Sequence, residues 1–157
     1  MEFSLVLRKA CHPELIRMVR ESDALLEATI AGDEQAVASA IARAHDSAAG
    51  PMWYNDEQSL RFAVKLAYLT GIDSFARIEE LPSGHGRADL VFLPKKRSKL
   101  PALIVELKWN KDVDSVLTQI HERNYPAVLK DWEASLRLVG ITYNSKTKEH
   151  SCVIESL

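Results

Sequence analysis

Two carboxylic acids and an amine recur at short range in the middle of this chain. Asp89 opens the apolar run Asp89-Leu90-Val91-Phe92-Leu93, and Glu106 and Lys108 sit inside Leu103-Ile104-Val105-Glu106-Leu107-Lys108-Trp109. The second stretch reads as a buried strand. Its two-residue period puts Leu103, Val105, Leu107 and Trp109 on one face and Ile104, Glu106 and Lys108 on the other. Charges without partners are costly to bury, so an apolar strand rarely carries an acid and an ammonium on one face without cause. If the two runs are adjacent antiparallel strands, Asp89 comes beside Glu106 and Lys108. Acceptor oxygens that hold negative charge then meet a nitrogen that donates, and this trio is the candidate site.

The elements that must position the trio follow from periodicity and punctuation. His12-Pro13-Glu14 opens a helix in which Leu15, Val19, Leu26 and Ile30 track one face as far as Gly32. Asp33 begins a second helix with Val37, Ile41 and Ala44 inward. These two helices form an N-terminal annex over residues 1–50, with the main domain over 51–157. Met1 to Ala10 alternates like a strand at Phe3, Leu5 and Leu7 but is too short to place. After the small-residue linker Ser47 to Pro51, Asn55 is a good N-cap for a helix over Asp56 to about Thr70, with Gly71 in the C-terminal position. On that helix Glu57 shares a stripe with Leu60, Val64 and Ala67, so it opens the apolar face.

Strands are expected at Asp73–Leu81, Ala88–Leu93 and Leu103–Trp109. A connection with two glycines, Pro82 to Arg87, joins the first pair, and the basic loop Pro94 to Pro101 joins the second. A helix starting at Asp112 or Asp114 continues in pieces past Tyr125-Pro126 to about Trp132. Strands at Leu136–Tyr143 and His150–Glu155 follow, around the polar turn Asn144 to Lys148. Short links make the first three strands antiparallel neighbours, and the intervening helix permits a parallel crossover to the fourth. The expected fold class is α/β, a mixed sheet with helices on both faces.

Asp89 followed by Glu106-x-Lys108 on the next strand resembles the PD-(D/E)xK nuclease superfamily, the restriction-endonuclease-like fold. The helix, three strands, helix, strand order matches that core as well. Several phrases are similar to a group of uncharacterised bacterial proteins in which this domain follows an AAA-ATPase-like domain. They are Tyr54-Asn55-Asp56-Glu57, Leu81-Pro82-Ser83-Gly84, Glu106-Leu107-Lys108-Trp109-Asn110 and His150-Ser151-Cys152-Val153-Ile154-Glu155. Ala88 stands where the superfamily's name has proline. No Gly-x-x-x-x-Gly-Lys-Ser/Thr phosphate loop occurs.

The resemblance implies hydrolysis of nucleic-acid phosphodiester bonds, DNA ahead of RNA. Asp89 and Glu106 would be hard oxygen ligands for Mg²⁺ or Mn²⁺, and Lys108 would orient or activate the attacking water. Glu57 falls where the family has an acid on its first core helix and would hold a second metal or a metal-bound water. Gln119 and Tyr125 match auxiliary positions and would orient the site or contact phosphate, Gln119 as part of the catalytic set, and His85 and Arg87 on the glycine-bearing loop could reach the substrate backbone. An upstream AAA-ATPase-like domain and a homodimer through the C-terminal edge strand are the partners to consider. The rival from another class is a nuclease-like fold that binds nucleic acid or protein without cutting.

The same residues admit plainer readings. Glu106 and Lys108 could be an ion pair at a strand end, and Glu57 could answer the helix dipole. Gln119 and Tyr125 could be structural, and the basic run from Lys95 to Lys99 a solvated hairpin tip. His150-x-Cys152 lacks the second paired motif that a zinc site needs. With 157 residues and a net charge of −2, a strongly electrostatic, sequence-blind nucleic-acid binder is disfavoured. No apolar run approaches a membrane span, no signal-peptide pattern opens the chain, and two unpatterned cysteines fit a reducing cytoplasm.

Overall fold

In the computed structural model, residues 13–48, 56–83, 86–95, 98–122, 129–130 and 135–157 are described. Helix α1 spans Pro13–Ala31 and α2 spans Glu34–Ala48. Between them Gly32 takes a left-handed φ of 77°, and the Asp33 amide closes back onto the Ala28 carbonyl at 2.9 Å. That is the backbone conformation for which glycine is the default residue at a helix end. Asp33 then caps α2 by accepting from the Ala36 amide at 3.0 Å.

Helix α3, Glu57–Ala67, is capped by Asp56, whose carboxylate accepts from the Ser59 amide at 2.7 Å. The expected cap, Asn55, lies outside the described residues. The α-helix also stops earlier than expected: Tyr68 is its C-cap, and a 3₁₀ turn over Leu69–Asp73 follows. Gly71 lies inside that turn and is not the left-handed terminator its position suggested. Its role is clearance, since a Cβ there would meet Phe92 Cε1 at 2.8 Å.

Five strands follow: β1 Phe75–Ser83, β2 Gly86–Pro94, β3 Ala102–Trp109, β4 Leu136–Asn144 and β5 Glu149–Ser156, with helix α4, Val113–Glu122, between β3 and β4. They form one sheet in sequence order, antiparallel except for the parallel β3–β4 pair, which α4 bridges. The β1–β2 link is tighter than expected, because Ser83 pairs with Gly86 and only two residues intervene. Asp73 belongs to the 3₁₀ turn, and β1 starts two residues later. Lys95, at the start of the basic loop, is tied to that turn by an ammonium that donates to the Ile72 carbonyl at 2.7 Å.

Alternation explains why β3 is buried along most of its length. Leu103, Val105 and Leu107 join Leu90, Phe92, Val139, Ile141 and Tyr143 under Leu25, Val37, Ile41, Leu60 and Val64 of α1–α3. On the opposite face Ile104 and Ala102 join Val91, Leu93 and Leu138 under Val116 and Ile120 of α4. The fold is therefore an α/β sheet with helices on both faces, and α1 and α2 share the core of the main domain. Gly140 sets how close α4 can come: a Cβ there would meet Val116 Cγ1 at 2.9 Å. The edge strand β5 is partly covered, since Glu34 of α2 accepts its Ile154 amide at 2.8 Å. No helix among the described residues is long and apolar enough to cross a membrane.

Candidate active site

The site forms where β2 and β3 part. Their ladder consists of Leu90–Val105, Val91–Ile104 and Phe92–Leu103, and the next pair in register would be Asp89 with Glu106. At that point the side chain of Asp89 replaces the ladder. Its Oδ2 accepts from the Leu107 amide at 2.8 Å, which satisfies a buried N–H that has left its strand partner. The other oxygen, Oδ1, is ion-paired with Nη1 of Arg61. Asp89 is 7% exposed and Glu106 1%, so both acids lie inside the fold, and Lys108 is half-buried toward the end of β3.

The end of β3 is fixed two residues beyond Lys108. Asn110 adopts a left-handed φ of 54°, donates its amide to the Tyr143 carbonyl at 2.8 Å, and accepts from the Ser145 amide and hydroxyl at 2.8 and 2.9 Å. Asparagine tolerates this conformation better than most residues. Across the parallel pair, Glu106 stands beside Gly140, the residue over which α4 seats.

Arg61 is the residue that the sequence reading missed. It reaches Asp89 from α3, and its Nη2 contacts Glu57 Oε1 at 3.2 Å. The three groups make a chain from the exposed acid Glu57, through the Arg61 side chain, 22% exposed, to the buried acid Asp89. Glu57 therefore does not open the apolar face. Its side chain is 49% exposed, because the first turn of α3 precedes the apolar stripe, which begins at Leu60. The signal available in the sequence was the four-residue spacing from Glu57 to Arg61, which places them on one helix face. One turn on, Lys65 binds Glu79 at 2.8 Å, and Arg77 binds the same carboxylate at 2.8 Å. The Lys65 hydrogen bond, with Arg77 adding to it, holds the Glu79 carboxyl below its usual range.

The remaining candidates fall as follows. Gln119 is on α4 and exposed. Arg87 pairs through its backbone with Pro82 in the β1–β2 ladder. His85 and Tyr125 lie outside the described residues. His150 is paired with His45 of α2, Nε2 to Nδ1 at 2.8 Å, and the far nitrogen of His45 meets Ser59 Oγ at 3.3 Å. His45 is fully buried among Trp109, Tyr143 and His150, a contact that sequence spacing could not show. Burial, and then Glu34, pushes the Cys152 thiol up to about 12, which disfavours the nucleophilic thiolate.

Hard carboxylate oxygens inside the fold, one already paired with a cation, are donors suited to Mg²⁺ or Mn²⁺. Among the described residues no group of three or more His, Cys, Asp or Glu is disposed to hold a metal. Mg²⁺ does not require such a group, since it keeps several waters and is commonly held by one or two carboxylates with substrate phosphate.

A mixed sheet with an acid at the parting of two strands and Glu-x-Lys on the second defines a nuclease-like α/β domain. The family model of the PD-(D/E)XK nuclease superfamily matches residues 57–152, and the chain belongs to that superfamily. Its members are generally nucleases and typically use divalent metals. No curated protein and no solved structure shows significant similarity to the chain.

Proposed function

We propose that this domain is a metal-dependent nuclease, with Asp89 and Glu106 as ligands of Mg²⁺ or Mn²⁺ and Lys108 orienting or activating the attacking water. The supporting observation is the parting of β2 and β3 at Asp89, where the carboxylate bonds the amide of Leu107, between Glu106 and Lys108. The bound ion would supply charge stabilisation at the phosphoryl oxygens and a more acidic water. The protein's own contribution is positional. The Leu107 amide orients Asp89, strand alternation puts Lys108 on the face of Glu106, and Asn110 fixes the strand end beyond it. Glu57 is the outer acid of the site, joined to Asp89 through Arg61. Gln119, His85, Arg87 and Tyr125 are candidates for substrate contact, and DNA is the first substrate to try. The four sequence phrases named above also support placing the chain with the bacterial proteins that carry an AAA-ATPase-like domain upstream.

The test begins without a substrate. A ligand at a hundred times its dissociation constant stabilises the native state by about 2.7 kcal/mol. Mn²⁺ is therefore expected to raise the melting temperature of this chain and not of Asp89→Asn or Glu106→Gln. With a substrate in hand, Lys108→Ala should abolish cleavage while the fold persists, and undiminished cutting would sink the mechanism. The Arg61 guanidinium on Asp89 favours a second reading, a nuclease-like fold that binds nucleic acid or protein without cutting. That reading expects no response to Mn²⁺.

A further inference from the structure

We propose that Arg61 is a displaceable counter-cation of the Asp89 site, and that a divalent metal binds Asp89 by expelling its guanidinium. The inference rests on the metal reading above and specifies how the site is kept when no metal is bound. Both oxygens of Asp89 are engaged, Oδ2 by the Leu107 amide and Oδ1 by Arg61. The amide belongs to the backbone of β3 and stays. Each oxygen keeps a second lone pair, but a guanidinium and a divalent cation gathered on one carboxylate repel each other, so metal and Arg61 compete for Asp89. A carboxylate that is 7% exposed is costly to leave without a cation, and one or the other must be present.

The geometry makes Arg61 the partner that can leave. It is held at two points, Asp89 and Glu57, and Glu57 is 49% exposed, so the outer anchor stands in water. Arg61 Nε is buried with no hydrogen-bond partner among the described residues. Bound to Asp89, the side chain thus keeps one donor dry, and turning outward would hydrate it. Release of that penalty offsets part of the loss of the ion pair. A metal with hard-oxygen preference then replaces a cation that the protein supplies from its own helix. By reciprocity, whatever strengthens the hold of Arg61 on Asp89 weakens metal binding by the same factor.

The experiment is a Mn²⁺ titration followed by thermal melting of this chain, Arg61→Lys, Arg61→Ala and Asp89→Asn. Arg61→Lys keeps a positive charge but loses the two-armed bridge, and it carries the test if Arg61→Ala does not fold. Without metal, both arginine variants should melt below the unaltered chain. Their apparent dissociation constants for Mn²⁺ should be lower, by about tenfold in Arg61→Ala, with Arg61→Lys between. Equal or weaker binding in the arginine variants, with the unaltered chain responding and Asp89→Asn silent, overturns displacement and makes Arg61 a fixed structural partner. No Mn²⁺ response in any variant, or an undiminished response in Asp89→Asn, overturns the metal reading itself and this inference with it.

Discussion

Removing the carboxylate of Asp89 should destabilise the fold even with no metal and no substrate present. Two losses add. The Leu107 amide, buried in β3, loses the acceptor that replaced its ladder partner, and a hydrogen bond to a charged group contributes ~1.5–3 kcal/mol. Arg61, whose side chain is 22% exposed, loses its inner partner. Breaking a fully buried pair costs ~3–5 kcal/mol, and the figure here is lower because Arg61 keeps Glu57 and can turn toward water. The two losses share one side chain and are not independent, so we expect ~3 kcal/mol for Asp89→Ala. Asp89→Asn keeps an acceptor for Leu107 and presents a neutral amide to Arg61, so its cost should be ~1–2 kcal/mol. In a domain of this size these losses lower the melting temperature by roughly 2–4 °C per kcal/mol. Urea unfolding with a chelator present measures both variants. The opposite outcome is physically reasonable: a buried acid kept for function alone would stabilise the fold when removed. Asp89→Ala at or above the stability of the unaltered chain would therefore refute this account of the site.

Two further outcomes follow from the packing. Burial, and then the charge of His45, lowers the His150 imidazole to about 4 from its usual value near 6.5. Between those values the unfolded chain binds the extra proton, so stability is full above pH 6.5 and declines as pH falls toward 4. Because His150 is only part-buried, the loss should be ~1–3 kcal/mol. Melting at pH 7.5 and pH 5 should show it, and His150→Gln should flatten the difference. Gly140→Ala puts a methyl 2.9 Å from Val116 Cγ1 and 3.1 Å from Val153 Cγ1, with ~1–3 kcal/mol of overpacking expected in the same unfolding assay. An unchanged midpoint would show that α4 yields easily.

Much of this was legible in the sequence because it is local. The alternation of β3 names its two faces, the glycine at 32 ends α1, and Asp89 and Glu106-x-Lys108 fall on two neighbouring strands. The missed features are of another kind. The Arg61–Asp89 pair joins residues 28 positions apart, and the His45–His150 pair spans 105, so each exists only once helices dock on the sheet. Gly71 was misread because a glycine after a helix serves either conformation or clearance, and only the position of Phe92 decides between them. Glu57 was misread because a stripe on a helical wheel does not show that the first turn extends past the surface it would cover. The helix start was misjudged by one residue, a choice between two competent caps, Asn55 and Asp56.

The histidine pair has a direction. Ser59 Oγ donates its single proton to the Asp56 carbonyl at 2.8 Å, so it can only accept from His45. When the His45 ring is neutral, its Nε2 then carries the proton, its Nδ1 accepts, and His150 Nε2 donates. The line of donors runs one way, from the last strand through α2 to the first turn of α3. Asp56, where it ends, immediately precedes Glu57 and lies five residues before Arg61. The tautomer of an imidazole on β5 is thereby tied to the seating of the helix that supplies the site its guanidinium.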